Sequence, residues 1–191
     1  MVKPYRVFSR KIVHKNPWYQ VVKENIRYPS GHRGNYYVWE NPRTEKGFVV
    51  AIAEDKDTFF LVKQWRPTLK HYTLEFVAGD AHKNEKYVKA AKRELLEELG
   101  LQAKRWQFIG KAAVAPGYSR EYGRVFLATG ISKSAEKAKG EAGEKTELVK
   151  IKRQKFEQMI YNREIEDGPT LSAYLLYLTR KKKNQILNPN I

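Results

Sequence analysis

The sequence contains no cysteine, which excludes thiol catalysis, disulfide bonds and thiolate zinc sites. It therefore offers no support for a secreted protein held together by disulfides. Long apolar runs are also missing: the longest, Phe48–Ala53, has six residues, whereas a membrane-spanning helix needs about 20. The basic N-terminal segment has no apolar core and does not have the pattern of a secretory signal. We expect a soluble globular protein of the cytoplasm.

Acidic residues are scarce, since 21 Asp and Glu stand against 37 Lys and Arg, a formal net charge of +16. Such an excess raises the local concentration of phosphate-bearing molecules, either nucleotides or nucleic acids. A solvated basic surface that only keeps the protein in solution explains the same charge. The chain is 41% apolar, which is enough to form the core of a folded domain.

Turn signals divide the chain into short strands and a few helices. Residues Tyr28–Gly31 separate two β-prone runs, Trp18–Asn25 and Asn35–Trp39, and predict an N-terminal antiparallel β-ribbon. Further strands are expected at Phe48–Ala53, Thr58–Gln64, Thr73–Val77, Trp106–Val114, Arg124–Thr129 and Leu148–Ile151, and helices at Lys86–Leu99, Lys155–Tyr161 and Pro169–Thr179. This mixture predicts an α/β or α+β fold.

Composition predicts where the parts of the chain begin and end. We expect a β-ribbon subdomain over residues 1–46, whose last six residues form a linker, and a main domain over residues 47–180. A basic tail over residues 181–191 should be frayed. The segment Ser132–Lys145 is poor in apolar residues and predicts a mobile loop.

One predicted helix carries three carboxylates close together. Glu94, Glu97 and Glu98 are spaced i, i+3 and i+4, so their side chains converge on one side of the helix. A divalent cation with oxygen ligands would relieve their repulsion, and Mg²⁺ is the usual ion where a phosphate supplies further ligands. A solvated acidic face, with Arg93 paired to Glu97, is the alternative interpretation.

The spacing of the residues around these glutamates is specific. The pattern is Gly79, five residues, Glu85, seven residues, Arg93-Glu94-Leu95, one residue, Glu97-Glu98, one residue, Gly100-Leu101. It resembles the complete signature of the Nudix hydrolases, with every fixed position present. The resemblance implies an α/β/α sandwich and hydrolysis of a nucleoside diphosphate linked to another moiety.

The same resemblance implies roles for individual residues. The metal, magnesium or manganese in its place, would be bound by Glu94, Glu97, Glu98 and the carbonyl group of Ala78. Arg93 would orient this cluster of carboxylates.

The flanking residues resemble the ADP-ribose pyrophosphatase group of this family. The shared segments are Val62–Pro67 (VKQWRP), Leu74–Phe76 with Ala78-Gly79, and Pro116–Glu121 (PGYSRE), which begins sixteen residues after Gly100. Val77 departs from the group, where proline is commoner. The group implies a homodimer in which the N-terminal ribbon packs across the partner.

Substrate-binding candidates follow from the flanking motifs. Trp18 and Trp39 lie where this group places aromatic residues that sandwich the base, and stacking suits either face of a purine. Both could instead be ordinary core aromatics. Glu40 can accept a hydrogen bond from the base or ribose, and Arg66 can hold a phosphate by its planar fork, unless it forms only a surface ion pair. Glu75 and Glu121 complete the predicted set.

The candidates for a general base lie in the predicted mobile loop. Glu141, Glu144 and Glu147 could each activate water, and the segment Gly143–Glu147 aligns best with the family on Glu144. A charged, solvated loop is the alternative. His71 and His82 have no partners at fixed spacing and are interpreted as incidental.

The sequence therefore predicts a Mg²⁺-dependent enzyme that hydrolyses ADP-ribose or a nucleoside diphosphate sugar to a nucleoside monophosphate and a sugar phosphate. Two alternatives remain: an RNA 5′-end pyrophosphohydrolase, which the net charge would suit, and a noncatalytic nucleotide-binding module. The flanking motifs argue against the first, and the three glutamates of the helix argue against the second.

Overall fold

The N-terminal part of the chain forms a three-stranded antiparallel sheet. The computed structural model describes residues 3–44, 47–135 and 146–187, and β1 (Arg6–Lys15), β2 (Gln20–Arg27) and β3 (Arg33–Glu40) pair in that order. The turn at Tyr28–Gly31 is confirmed, with Gly31 in the left-handed region at φ 88°. Strand β1 was not predicted. All its residues are exposed, so it has no alternation of buried and exposed positions.

The main domain is built on a seven-stranded mixed sheet with the order β10-β5-β4-β9-β8, in which β6 pairs with β5 and β7 with β4. Strands β4 and β9 are parallel. The strands are β4 (Phe48–Asp55), β5 (Thr58–Arg66), β6 (His71–Glu75), β7 (Val77–Asp80), β8 (Leu101–Ala113), β9 (Tyr122–Lys133) and β10 (Thr146–Lys152). The predicted hairpin of β4 and β5 is confirmed.

Three helices within the described ranges cover the two faces of this sheet. They are α1 (Tyr87–Leu99), α2 (Arg153–Tyr161) and α3 (Gly168–Leu187). Alternate residues of β4 point to opposite faces: Val49 packs in the core with α1, whereas Val50 packs in the core with α2 and α3. The predicted α/β/α sandwich with an N-terminal antiparallel sheet is confirmed. Within the described ranges, no helix is long and apolar enough to cross a membrane.

Several predicted boundaries were wrong. The strand predicted at Thr73–Val77 is divided between β6 and β7, because the N–H group of buried Phe76 donates to Thr170 Oγ1 of α3 instead of continuing the ladder. Ser132 belongs to β9 and not to a loop, while residues 136–145 of the predicted loop lie outside the described residues. Helix α3 continues to Leu187, into the segment predicted as a frayed tail.

The segment between the two sheets is also better anchored than a linker. Its first residue, Asn41, is buried and its side-chain amide donates to Asp80 at 2.7 Å. Thr44 is buried as well, and its hydroxyl donates to the carbonyl of Gly47 at 3.2 Å. The N-terminal sheet is therefore tied to the strand that leads into the signature motif.

Candidate active site

The signature motif forms one wall of a cavity of about 300 Å³. Helix α1 packs on the sheet through its buried apolar residues, which are Ala90, Ala91, Leu95 and Leu99. Glu94, Glu97 and Glu98 lie on the other side of the helix and line the cavity, together with Ala78 and Gly79 from β7. One helix thus serves both the core and the cavity, as the sequence spacing predicts.

Arg93 joins the helix to the loop before it. Its Nη1 donates to Glu94 at 2.7 Å and to Glu97 at 2.9 Å, and its Nη2 donates to the carbonyl of Asp80 at 2.8 Å and to Glu85 at 3.1 Å. Burial by itself would lower the pKa of Arg93, but the surrounding carboxylates raise it above its usual value. Arg93 therefore stays charged and fixes these glutamates relative to the loop.

The surroundings of Glu94 change its pKa. Its burial, opposed by Arg93 and reinforced by the charges of Glu97 and Asp80, raises its pKa to about 7. Its carboxyl group lies so close to Gly79 that a Cβ atom there would be 2.1 Å from Glu94 Cδ. Buried carboxylates at this density need a compensating charge in order to ionise together.

The donor set fits a divalent cation. Three carboxylates and a backbone carbonyl, from Glu94, Glu97, Glu98 and Ala78, are hard oxygen donors of the kind that Mg²⁺ prefers, and all four residues line one cavity. Across the ranges that the structure describes, no three acidic or histidine side chains are placed to ligate one ion as they stand. Arg93 donates to two of the three glutamates and so supplies part of the positive charge that balances them.

Arg66 and Gln64 line the same cavity from β5. The Nε atom of Arg66 donates to Glu75 at 2.7 Å, and its Nη2 bonds the other carboxylate oxygen. Glu75 is 2% exposed and also accepts from Thr73 at 2.6 Å and Gln64 at 3.0 Å. The structure therefore places Glu75 behind Arg66 as its anchor, where the sequence had suggested contact with the substrate.

A second cavity, of about 530 Å³, lies between the N-terminal sheet and the main domain and is lined by Trp39, Glu40 and Glu121. Burial and the charge of Asp80 raise the pKa of Glu121 to about 7. Asp80 lines the first cavity and Asn41 lines the second, and the hydrogen bond between them measures 2.7 Å. The two cavities therefore adjoin at this pair.

The two tryptophans predicted to stack on the base lie in different surroundings. The ring of Trp39 is stacked with that of Tyr19, with centroids 6.3 Å apart. Trp18 lies on the turn between β1 and β2, is 60% exposed and lines neither of these two cavities. The residue after Trp18 is thus the one whose ring reaches Trp39 in this chain, and a role for Trp18 in base stacking stays a prediction.

Sequence reasoning missed several residues at the junction of the two cavities. Glu40 already accepts hydrogen bonds from Gln20 at 3.1 Å and Arg120 at 3.0 Å, and neither partner was singled out. Asn41 and Asp80 were missed as well. Asp80 directly follows the motif glycine, and that position is the one signal in the sequence that could have identified it.

Of the three candidate bases, Glu141 and Glu144 lie outside the described residues. The side chain of Glu147 on β10 is 69% exposed, and its Oε2 atom lies 3.7 Å from Nζ of Lys63. Of the two histidines interpreted above as incidental, His71 contacts Glu166 at the surface. His82 lines the first cavity, although its side chain is 62% exposed.

Comparison with known proteins identifies the family. The NUDIX domain family matches residues 43–174, more than half of the chain. The chain is a member of the Nudix family. The family that the signature motif predicted is thereby confirmed.

The Nudix relatives agree with the group that the flanking motifs predicted. The chain is 29% identical to the ADP-ribose pyrophosphatase of Bacillus subtilis (strain 168) over 181 residues, 94% of this chain and 92% of that one. It is 33% identical to the ADP-ribose pyrophosphatase of Mycobacterium tuberculosis over 130 residues, 66% and 60% of the two chains. The crystal structure of an ADP compounds hydrolase has the same Nudix fold, with a TM-score of 0.83, 20% identity and coverage of 96% and 97%.

Proposed function

We propose that this Nudix protein hydrolyses the diphosphate bond of ADP-ribose in a Mg²⁺-dependent reaction, giving AMP and ribose 5-phosphate. The observation that carries the proposal is the pair of adjoining cavities. One is lined by acidic residues and Arg66, and the other by the aromatic ring of Trp39. The names of the two relatives above support ADP-ribose over other nucleoside diphosphate sugars.

The chain's own side chains bind the two ends of such a substrate. Arg66 presents a guanidinium group to the first cavity, and its anchor Glu75 holds it in one orientation, so it can bind phosphate oxygens. Trp39, backed by Tyr19, offers a stacking surface for the adenine base. Glu40 and Glu121 line the cavity where ribose hydroxyls could donate to them.

The metal site is proposed at Glu94, Glu97, Glu98 and the Ala78 carbonyl, with Mn²⁺ as an alternative to Mg²⁺. A divalent cation held there would lower the pKa of the attacking water and would stabilise the charge on the leaving phosphate. Arg93 holds the helix and the preceding loop together at this point. For the proton of the attacking water, we propose Glu144 as the acceptor, on its alignment with the family.

A homodimer is part of the proposal. All ten residues of β1 are exposed, among them Phe8, Ile12 and Val13 with about half of their surface in contact with solvent. A small sheet with such an uncovered apolar strand is marginal by itself and gains stability when another surface covers it. We propose that a second copy of the chain covers β1. A cytoplasmic location remains a prediction.

A substrate panel tests the activity. Purified protein is incubated with ADP-ribose, GDP-mannose, UDP-glucose, a dinucleoside polyphosphate and triphosphorylated RNA, each in Mg²⁺ and in excess EDTA. We expect AMP and ribose 5-phosphate from ADP-ribose in Mg²⁺ only. A higher kcat/KM for RNA would support the RNA 5′-end alternative. Nucleotide binding without release of a monophosphate would indicate a binding module.

A further inference from the structure

A buried glutamate connects the N-terminal sheet to the main domain. Glu24 on β2 is 0% exposed, and Nη2 of Arg120 donates to both of its carboxylate oxygens at 2.7 Å. Arg10 on β1 donates to the same carboxylate at 2.8 Å. Both arginines also bond Glu40 on β3. Two arginines and two glutamates therefore form one compact network.

The two arginines have different places in the chain. Arg10 belongs to the N-terminal sheet itself, as do both glutamates, whereas Arg120 comes from the connection between β8 and β9. Residues 115–121 of that connection form a loop that is also bonded to β3 through the backbone: the N–H of Trp39 donates to the carbonyl of Tyr118 at 2.7 Å. Removing Arg120 would thus weaken the attachment of the loop, and removing Arg10 would not.

The attachment through Arg120 is strong because Glu24 is buried. Burial by itself would raise the pKa of Glu24, but the hydrogen bonds and charges of Arg120 and Arg10 keep it below its usual value. The carboxylate is therefore ionised, and the hydrogen bonds that it accepts from Nη2 of Arg120 are charge-assisted. If the loop moved away, it would leave a buried charge with one partner fewer, which is costly.

Arg120 and the residue after it, Glu121, both line the second cavity. The Arg120 side chain reaches the N-terminal sheet. The adjacent Glu121 lies between that sheet and the main domain, and it is close enough to Asp80 for the charge of Asp80 to raise its pKa. A loop held at Arg120 therefore has little freedom to move the carboxyl group of Glu121.

We propose that Arg120 and Glu24 are positioning residues, whose ion pair holds the loop of residues 115–121 against the N-terminal sheet and so places the Glu121 carboxyl group in the cavity. This inference rests on the proposed function, because the position of Glu121 affects the reaction only if the cavity binds substrate. The N-terminal sheet would then do more than line the second cavity: it would also fix the position of a carboxyl group inside that cavity.

Two matched variants test the positioning in the full-length enzyme. Arg120→Gln and Arg10→Gln each remove one guanidinium group from the same two glutamates, but only the first removes a link between the loop and the N-terminal sheet. We expect kcat/KM for ADP-ribose to fall about tenfold or more in Arg120→Gln, mainly through KM, and to change by less than about threefold in Arg10→Gln. Arg120→Lys should recover part of the loss. Equal losses in the two variants would overturn the proposal.

A double-mutant cycle shows whether Arg120 acts through Glu121. If it does, adding Arg120→Gln to Glu121→Gln costs little beyond the single Glu121→Gln change. Losses that multiply in the double variant would show that the ion pair acts elsewhere and would overturn the proposal.

Hydrogen exchange separates this proposal from the proposed function. Without any substrate, the amides of Trp39, Tyr118 and Ser119 should exchange faster in Arg120→Gln than in Arg10→Gln, because these amides hold the loop. Equal exchange in the two variants overturns the positioning role. Wild-type protein that leaves ADP-ribose intact overturns the proposed function instead.

Discussion

The carboxyl group of Glu94 lies directly against the backbone of Gly79, so that a Cβ atom built on Gly79 would be 2.1 Å from Glu94 Cδ and 2.2 Å from Oε1. Strand β7 and helix α1 meet at this point. The glycine of the signature motif is therefore required for space, because any side chain at residue 79 would displace a carboxylate of the proposed metal site.

The first prediction concerns this contact. Gly79→Ala should lower kcat/KM for ADP-ribose by about 100-fold, because the added methyl group pushes Glu94 out of position. Gly168→Ala is the matched control, since a Cβ there meets nothing within 4 Å. Steady-state kinetics on both variants make the comparison, and comparable activity of the two would contradict the steric argument.

The second prediction concerns the acidic cluster. Glu94→Gln and Glu98→Gln should each reduce kcat in Mg²⁺ by about 100-fold or more, because the amide keeps the shape of the side chain but removes the charge that binds the cation. Circular dichroism should show an unchanged fold, since the apolar side of α1 is untouched. Glu164→Gln, outside both cavities, is the control, and near wild-type rates in the first two variants would disprove the metal site.

The third prediction concerns pH. Burial, together with Glu97 and Asp80, raises the pKa of Glu94 from 4.5 to about 7, so between these values the folded protein binds a proton more tightly than the unfolded chain. The free energy of unfolding should therefore fall as pH rises through this range. One pKa unit corresponds to about 1.4 kcal/mol, which limits the effect to about 3 kcal/mol.

Urea denaturation of wild type and Glu94→Gln in EDTA, at about pH 5 and about pH 8, measures this effect. The stability of wild type relative to the variant should be lower at the higher pH, and Mg²⁺ should reduce the difference because it favours the ionised carboxyl group. A difference between the two proteins that is independent of pH would show that Glu94 titrates normally.

The fourth prediction concerns the general base. Glu144→Gln should lower kcat far more than it changes KM, because the carboxylate acts on water and not on the nucleotide. Glu141→Gln and Glu147→Gln should be much milder, and the side chain of Glu147 is 69% exposed beside Lys63. If one of those two is the damaging change, the base lies there. If all three are mild, none of these carboxylates is the base.

The fifth prediction concerns assembly. Light scattering at micromolar concentration should give about twice the chain mass of 22.4 kDa, since β1 exposes apolar residues on a sheet that gains from a partner. Placing a charge there, as in Ile12→Lys, should shift the protein toward the monomer. Wild type that scatters as a monomer would refute the dimer.

The local features of the site could be predicted from the sequence. The three glutamates converge because helix geometry alone sets the positions of residues three and four apart, and the helix ends at Gly100, which adopts φ 63°. The hairpin of β4 and β5 and the two-sided burial of β4 follow from a short apolar run between turn signals. In each case, the decisive interactions join residues that are close along the chain.

Tertiary structure alone decided the features that join distant segments. Asn41 and Asp80 meet across 39 residues. Arg120 reaches Glu24 across 96, because the N-terminal sheet packs against the loop after β8. The periodicity of apolar residues carries no information about such contacts. From the sequence alone, the buried Glu24 cannot be distinguished from a glutamate on the exposed face of a strand. Strand β1 was not predicted for a related reason. Strands are identified from the alternation of buried and exposed residues, and β1 is exposed along its whole length.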